Sequence, residues 1–258
     1  MISPSEETTE TLIARASAAT EQGHADEAIE LYRQALDTDP EHDLARNNLA
    51  CLLIDGGRFD EACDLFAGPD PDQRELRHTL GFALLEQGDL GRAEAIFRSI
   101  IELDPEDSTA RNHLAMVLLR REELEAALGE LLRVVRERPA MVEAWNNLGV
   151  VYWHRNDLGL AQESFESALR VDPYNVDAHN NLGCVLRAAG ELEEAIEAFK
   201  LAVQLEPKDP AIQLNLAVAY RQSGDGRRAR SHLHRHLDLQ HGESTPDVRR
   251  LVAELEEL

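Results

Sequence analysis

Residues 145–149 are Trp-Asn-Asn-Leu-Gly and residues 179–183 are His-Asn-Asn-Leu-Gly, so the same motif returns after 34 residues. Pro139, Pro173 and Pro207 follow one another at the same spacing. A constant period of this length is typical of a repeat protein, in which each repeat is one supersecondary unit. Extending the register predicts a disordered N-terminus at 1–8, seven repeats, and a C-terminal capping helix at 244–258. The predicted repeats are 9–42, 43–73, 74–107, 108–141, 142–175, 176–209 and 210–243.

The second predicted repeat has 31 residues, whereas the other six have 34. Its deletion falls in its second half, where Pro69 and Pro71 lie close together. Proline is not tolerated in the interior of a helix, because it lacks an N–H and its ring clashes with the preceding turn. We therefore expect the second helix of this repeat to be short.

Each repeat is predicted to contain two short helices. In 176–209, apolar and small residues recur at intervals of three, four and seven, which is the spacing of one helix face. Gly190 and Pro207 mark the ends of the two helices. An alanine recurs in every second helix, at Ala28, Ala62, Ala93, Ala127, Ala161, Ala195 and Ala229. A small residue recurs in the first helix, at Ala50, Gly81, Ala115, Gly149, Gly183 and Ala217. A large residue recurs in the second helix, at Tyr32, Phe66, Phe97, Leu131, Phe165, Phe199 and Leu233. The small residues predict that the two helix backbones approach closely and that the large side chains fill the remaining space.

This pattern resembles the tetratricopeptide repeat, a 34-residue helix-turn-helix unit with a specific signature. Repeat 142–175 matches that signature at Trp145, Leu148, Gly149, Tyr152, Ala161, Phe165, Ala168 and Pro173. The resemblance covers residues 9–243 and is weakest in the end repeats, as capping repeats require. There Arg15, Gly226, His236 and His241 replace the usual residues. The resemblance implies an all-α, right-handed superhelical solenoid whose first helices line a concave, peptide-binding groove.

A polar row is predicted on the face of the first helices that points away from the core. It consists of Asn48, Thr79, His113, Asn147, Asn181 and Asn215. An amide offers both a donor and an acceptor, so a ladder of asparagines can pair with the main chain of an extended peptide. A similar asparagine ladder lines the repeat region of O-linked N-acetylglucosamine transferases. In the alternative interpretation, these asparagines hydrogen-bond within or between helices, as buried amides commonly do.

An apolar row accompanies the polar one. It consists of Cys51, Phe82, Met116, Val150, Cys184 and Val218. Apolar residues that face away from their own core need another partner, which is either the next first helix or a bound segment. Phe82, Met116 and the adjacent Trp153 are large, and we predict that they line binding pockets.

Charge changes along the same face. The early first helices carry Asp55 and Glu86, and the later ones carry Arg120, His154, Arg187 and Arg221. This gradient predicts that the groove orients a partner with an acidic segment or a free C-terminus; a solvated charge distribution without any preference explains the same residues. Tetratricopeptide co-chaperones hold a C-terminal carboxylate with a lysine- and asparagine-rich clamp. Here the only lysines, Lys200 and Lys208, lie off the first helices, which disfavours that mode.

The composition argues against several classes of partner. The chain has 26 Lys and Arg against 49 Asp and Glu, a formal net charge of −23. Nucleic-acid binding depends on Lys and Arg that displace counterions, so we expect no nucleic-acid partner. The sequence has no stretch of 18 apolar residues, so we expect no membrane insertion. Three dispersed cysteines predict a reducing, cytoplasmic location.

Motifs for catalysis or cofactor binding are missing from the sequence. It contains no HExxH, no GxSxG and no glycine-rich phosphate loop, so we predict a non-catalytic protein without a cofactor. His232 and His236 are four residues apart, a spacing that can hold zinc. His236 occupies a predicted core position, however, and no third ligand stands at a clear spacing. Sequence drift in a terminal repeat is the simpler explanation.

The sequence therefore predicts a scaffold or adaptor that binds an extended peptide or partner segment in its groove. The candidate binding residues are Asn48, Phe82, His113, Met116, Asn147, Trp153, Asn181, Arg187, Asn215 and Arg221. One alternative is a substrate-recruiting subunit of a separate enzyme such as a glycosyltransferase. Another is a structural module that self-assembles through its end repeats. The identity of the partner and the oligomeric state do not follow from the sequence.

Overall fold

The computed structural model describes residues 8–65, 74–240 and 245–256, and these residues form helices joined by short turns. The described residues contain no strand, which confirms the all-α prediction. Their helices are α1 Thr9–Glu21, α2 Ala25–Thr38, α3 Asp43–Asp55, α4 Phe59–Asp64, α5 Arg74–Gln87, α6 Leu90–Leu103, α7 Ser108–Arg120, α8 Leu124–Glu137, α9 Val142–His154, α10 Leu158–Val171, α11 Val176–Ala189, α12 Leu192–Leu205, α13 Pro210–Gln222, α14 Gly226–Leu239 and α15 Pro246–Glu256. Residues 1–7, Phe66 with the two prolines that follow it, and His241 lie outside the described residues.

Local capping and turn residues fix the helix ends. Asp107 Oδ1 accepts a hydrogen bond from the Ala110 N–H at 2.8 Å and so caps the start of α7. The turn after a first helix needs a residue with a positive φ, and Gly190 supplies it after α11 with a φ of 88°. Asn156 adopts a φ of 63° after α9, a conformation that asparagine tolerates better than most residues. We propose that each of the seven helix pairs is one repeat of the sequence register.

The chain forms two compact units, unit 1 up to Arg121 and unit 2 from Glu122. In unit 1, α2 packs between α1 and α3, and α6 packs between α5 and α7. In unit 2, the helices from α8 to α15 pack mainly on their neighbours along the chain. Each unit is therefore a helical solenoid, in which a helix pair contacts the pair before it and the pair after it.

Side-chain volumes are matched between the two helices of a pair. A Cβ added to Gly149 would lie 2.5 Å from the ring of Phe165, and one added to Gly183 would meet the corresponding ring at 2.7 Å. Glycine in the first helix thus leaves space for a phenylalanine in the second. In the last pair, Ala217 and Leu233 hold the same two positions and are buried in one cluster. Where alanine replaces glycine in the first helix, the smaller leucine replaces phenylalanine in the second helix, which keeps the core close-packed.

Helix α15 covers the end of unit 2. Val248 and Leu251 are buried in the same cluster as Leu233 of α14. Arg221 of α13 forms an ion pair with Glu254 of α15. We propose that α15 is the capping helix, because it covers apolar side chains of α14 that would otherwise be exposed at the end of the helix stack.

Candidate protein-binding faces

The ten candidate residues all lie on the first helices of the pairs. In unit 1, α3 carries Asn48, α5 carries Phe82, and α7 carries His113 and Met116. In unit 2, α9 carries Asn147 and Trp153, α11 carries Asn181 and Arg187, and α13 carries Asn215 and Arg221. We call these two surfaces the first-helix face of unit 1 and the first-helix face of unit 2, and each is described separately.

On the first-helix face of unit 1, two candidates belong to a cluster of rings. The His113 ring centroid lies 5.4 Å from that of Phe82 and 5.1 Å from that of Phe97. His78, one turn before Phe82, lies 6.2 Å from His113 by ring centroids. Phe97 is fully buried, whereas Phe82 is 43% exposed. These four residues, which we call the imidazole cluster, connect the core of unit 1 to the exposed ring of Phe82; Met116, one turn after His113 on α7, is half-buried.

The imidazole cluster has hydrogen-bonding capacity that the described part of the chain does not use. Burial lowers the pKa of His113 and the charge of His78 lowers it further, while Asp107 opposes both. The His113 ring is therefore neutral near pH 7, with one donor and one acceptor nitrogen. Its Nδ1 and that of His78 are buried and have no hydrogen-bond partner among the described residues.

Two polar residues of the first helices connect one pair to the next. His78 Nε2 lies 3.0 Å from Oδ2 of Asp107, the residue that caps α7. Burial raises the pKa of Asp107, but the Ala110 N–H and His78 more than reverse this, so the pKa is lowered overall. In unit 2, Asn146 Nδ2 donates to Oδ1 of Asn175 at 2.9 Å, and Asn175 caps α11.

These connecting residues were not predicted from the sequence. His78 and Asn146 hold equal positions in their repeats, and each lies 29 residues before its cap. A polar residue at this position, followed by Asp or Asn 29 residues later, is the sequence signal that indicates the contact. The contact fixes the orientation of consecutive first helices, and so it positions the faces that carry the candidates.

The candidate asparagines have different surroundings. Asn48 Nδ2 donates to the Tyr32 hydroxyl at 3.0 Å, and Asn215 Nδ2 donates to Asn180 Oδ1 at 2.9 Å. Asn181 is half-buried and makes no hydrogen bond within the described part of the chain. The amides of Asn48 and Asn215 thus support the fold, as the alternative interpretation expects, and Asn181 retains its full capacity to pair with a partner.

The two candidates on α9 also contact their own chain. Asn147 is half-buried and takes part in an interaction within the protein. Trp153 is half-buried and packs against a cluster that contains Phe165 and Val185, the latter on the following first helix. The neighbouring repeat therefore covers part of Trp153, which leaves less of the indole for a pocket.

On the first-helix face of unit 2, Arg187 is better placed to meet an acidic group than Arg221, which pairs with Glu254. Its side chain is half-buried, and its Nε is buried without a hydrogen-bond partner among the described residues. It also hydrogen-bonds to Cys184, whose thiol pKa is nevertheless raised by burial. Cys184 is thus a neutral thiol near pH 7, and Arg187 forms no ion pair with a carboxylate among the described residues.

Ion pairs within each unit reduce the predicted charge gradient. Arg120 forms an ion pair with Glu86 at 2.8 Å in unit 1. Arg221 pairs with Glu254 of α15 in unit 2. Since both cations have an anionic neighbour in their own chain, they attract an acidic partner less than an unpaired arginine does.

The two C-terminal histidines considered for metal binding make contacts within the fold. His232 Nδ1 lies 2.8 Å from Gln213 Oε1, and His236 Nδ1 lies 2.7 Å from the Pro210 carbonyl oxygen. Across the described ranges, no group of three possible metal ligands occurs. Both rings are thereby explained as parts of the packing between α13 and α14.

Comparison with protein families identifies the class of the chain. One tetratricopeptide repeat model matches residues 19–80 and 186–255, and a second matches 78–141, 126–161 and 155–210. The chain therefore belongs to the tetratricopeptide repeat family, which confirms the resemblance seen in its motifs. Its general class is that of a protein-interaction scaffold.

Several solved structures share this fold. TTC0263, a thermophilic TPR protein in Thermus thermophilus, is 23% identical with a TM-score of 0.60, and the match covers 72% of this chain and 100% of that one. MamA 41-end from Desulfovibrio magneticus RS-1 is 20% identical with a TM-score of 0.57, covering 67% and 98%. YrrB, described as a TPR protein with an unusual peptide-binding site, is 20% identical with a TM-score of 0.54, covering 78% and 98%. These likenesses show the fold. No curated protein matches the chain.

Among the described residues, no helix combines the length and the apolar character that crossing a bilayer demands.

Proposed function

We propose that the chain is a non-catalytic scaffold that binds an extended segment of a partner protein on its first-helix faces. The observation that supports this most directly is a set of buried polar atoms without hydrogen-bond partners among the described residues. They include Nδ1 of His78 and His113 in unit 1, and Asn146 Oδ1 and Arg187 Nε in unit 2. Buried polar atoms are normally paired, and leaving one unpaired costs about 1–3 kcal/mol. These atoms are covered in the free protein, so they mark hydrogen-bonding groups of the first-helix faces that the described residues leave unused, and a partner pairs with them where it displaces the side chains that cover them.

On the first-helix face of unit 1, the partner contributes an apolar side chain and main-chain amides. Phe82 is 43% exposed and packs on His113, one turn before Met116 on α7, so an apolar side chain placed on Phe82 is removed from water. The neutral ring of His113 offers a hydrogen bond next to this surface. This combination favours recognition of an apolar residue within an extended segment.

On the first-helix face of unit 2, the partner contributes main-chain groups and a negative charge. Asn181 offers a donor and an acceptor, and it makes no hydrogen bond within the described residues. Arg187 lies six residues further along the same helix and provides a cation. A carboxylate, from an acidic side chain or a C-terminus, is the group that complements it. Peptide binding by YrrB, which has the same fold, is consistent with this mode.

We place this function in the cytoplasm. Cys51, Cys63 and Cys184 are all free thiols in the structure, as expected in a reducing compartment.

Site-specific photocrosslinking tests the proposal. A photoreactive amino acid is placed at Phe82 of the full chain and, as a matched control, at Leu103, which lies in the same unit and is 39% exposed but belongs to a second helix. After irradiation in a lysate, the crosslinked peptides are identified by mass spectrometry. We expect one partner segment to crosslink at Phe82 and not at Leu103.

Equal crosslinking at both positions, or at Leu103 alone, would refute binding on the first-helix face. The identity of the captured chain separates the remaining alternatives. A catalytic protein would indicate a substrate-recruiting subunit, and a second copy of this chain would indicate self-assembly.

A further inference from the structure

Unit 2 has a pocket on its second helices, which the proposed function does not use. A cavity of about 950 Å³ lies along the second helices, from α10 across α12 to the start of α14. We call it the second-helix cavity. It contains none of the ten candidate residues. Its volume is at the upper end of the range of ligand pockets, about 300–1,000 Å³.

The lining of the second-helix cavity includes apolar side chains. Leu169 of α10 and Ile196 of α12 are half-buried in it, and Leu201 of α12 is 45% exposed. Tyr220, at the end near α14, is buried beneath the surface. An exposed leucine within a concave surface is an energetically favourable place for an apolar side chain of a partner.

The rim of the second-helix cavity is acidic. Its carboxylates are Glu166, Glu191, Glu193, Glu194, Glu197 and Asp225, and its cations are Lys200 and Arg228. Lys200 pairs with Glu197 at 2.8 Å, and Arg228 pairs with Asp225 at 3.5 Å. The other four carboxylates form no ion pair within the described residues, and Glu166 accepts a hydrogen bond from Gln162. The rim therefore keeps an excess of uncompensated negative charge.

One wall of the cavity already holds a cation in a defined way. The guanidinium of Arg228 lies over the ring of Tyr220, 5.5 Å from its centroid. Cation–π contact and carboxylates together make a favourable environment for Lys or Arg side chains.

We infer that the second-helix cavity docks a Lys- and Arg-rich amphipathic segment of a partner protein, whose apolar residues contact Leu201 and whose cations contact the carboxylate rim. The two properties must occur in one segment, because the exposed leucine and the carboxylates line the same cavity. Electrostatic complementarity of this kind speeds association and selects the partner. An acidic segment, which suits Arg187 on the first-helix face, is repelled here, so the two surfaces bind chemically different segments.

Fluorescence anisotropy at low salt tests this inference with the full chain. The probe is a fluorescein-labelled synthetic peptide of leucine and lysine with its leucines at helical spacing. A second probe replaces every lysine by glutamate. The rim variant is Glu191→Gln/Glu193→Gln/Glu194→Gln. We expect the lysine probe to bind the wild-type chain, the glutamate probe not to bind, and the rim variant to bind the lysine probe about tenfold more weakly.

A charge-matched control separates docking from general attraction to an acidic protein. The variant Glu163→Gln/Glu206→Gln/Asp238→Asn removes the same charge from exposed positions of unit 2 that do not line the cavity. We expect it to bind the lysine probe as the wild-type chain does. Equal weakening of both variants, unchanged binding by the rim variant, or no binding by the wild-type chain would each overturn the inference.

A separate variant tests the apolar contact at Leu201. Leu201→Ser changes an exposed side chain and leaves the charge unaltered. We expect it to weaken the lysine probe severalfold while circular dichroism shows an unchanged helix content. Full affinity in this variant contradicts the apolar contact at Leu201 and overturns the inference in the form given.

Discussion

Replacing Gly149 by alanine tests the packing between first and second helices. The added Cβ would lie 2.5 Å from Cε1 of Phe165, 2.7 Å from Cζ and 2.8 Å from Cδ1. Carbon atoms in contact need about 3.5–4.0 Å, so the ring or the helix must shift by about 1 Å. Phe165 is only 1% exposed, so neighbouring side chains surround the ring and would have to move with it. Overpacking of this kind costs about 1–3 kcal/mol, and the better helix propensity of alanine offsets about 1 kcal/mol. We expect a net loss of up to about 2 kcal/mol in the free energy of unfolding.

Gly129 of α8, also in unit 2, provides the control. It is exposed, and a Cβ added there meets nothing within 4 Å. Gly129→Ala should therefore gain about 0.5–1 kcal/mol from helix propensity alone. Gly149→Ala/Phe165→Leu restores the volume match that Ala217 and Leu233 show in the last pair, and it should be more stable than either single variant.

Urea denaturation followed by far-UV circular dichroism measures these differences. The expected order of unfolding midpoints is Gly129→Ala above wild type, and wild type above Gly149→Ala. A Gly149→Ala variant that is stabilised as much as Gly129→Ala would refute the volume match.

Three further predictions concern contacts between helices. Asn146→Ala removes the hydrogen bond to Asn175 and should lower the free energy of unfolding by about 1 kcal/mol, as measured in urea; an unchanged midpoint contradicts the role of this contact. Arg221→Ala removes the partner of Glu254, so amide exchange in α15 should become faster while the global midpoint shifts by less than about 1 kcal/mol; unchanged exchange shows that the ion pair does not hold α15. Burial lowers the pKa of His113 in the folded chain, so the unfolded chain binds a proton on this ring more readily. The contribution of His113 to the free energy of unfolding is therefore fully present above pH 6.5 and is lost as the pH falls through the folded-state pKa. His113→Gln should make the fall in stability between about pH 7 and pH 5 less steep, and an equal slope in both proteins contradicts this origin.

The sequence was sufficient to predict the helical repeats because their determinants are local and periodic. Ala161 and Phe165 recur at fixed spacing, and the structure buries both of them. Gly190 ends α11 in a left-handed conformation, as the stop signal predicted. Such features depend only on helix geometry and backbone sterics.

The polar contacts could not be predicted in the same way, because they depend on which side chain of a neighbouring helix reaches a given atom. Asn48, Asn181 and Asn215 hold equal positions in the register, yet Asn48 bonds to Tyr32 and Asn215 to Asn180. Asn181 has no such neighbour among the described residues. A repeated residue therefore predicts the face on which it lies, whereas its availability to a partner depends on residues outside the repeat pattern.

The central claim is that the first-helix faces bind a partner segment, and Asn181 tests it most directly. The measurement is the Kd, by isothermal titration calorimetry, of a partner segment captured by photocrosslinking from Asp177, an exposed residue one turn before Asn181 on α11, for the wild-type chain, Asn181→Ala and Gln204→Ala. Gln204 is an exposed amide on the second helix α12 and serves as the matched control. We predict that Asn181→Ala weakens binding by about fivefold to tenfold, which corresponds to one lost hydrogen bond, and that Gln204→Ala has no effect. An unchanged Kd for Asn181→Ala, with an unchanged circular dichroism spectrum, would contradict the claim.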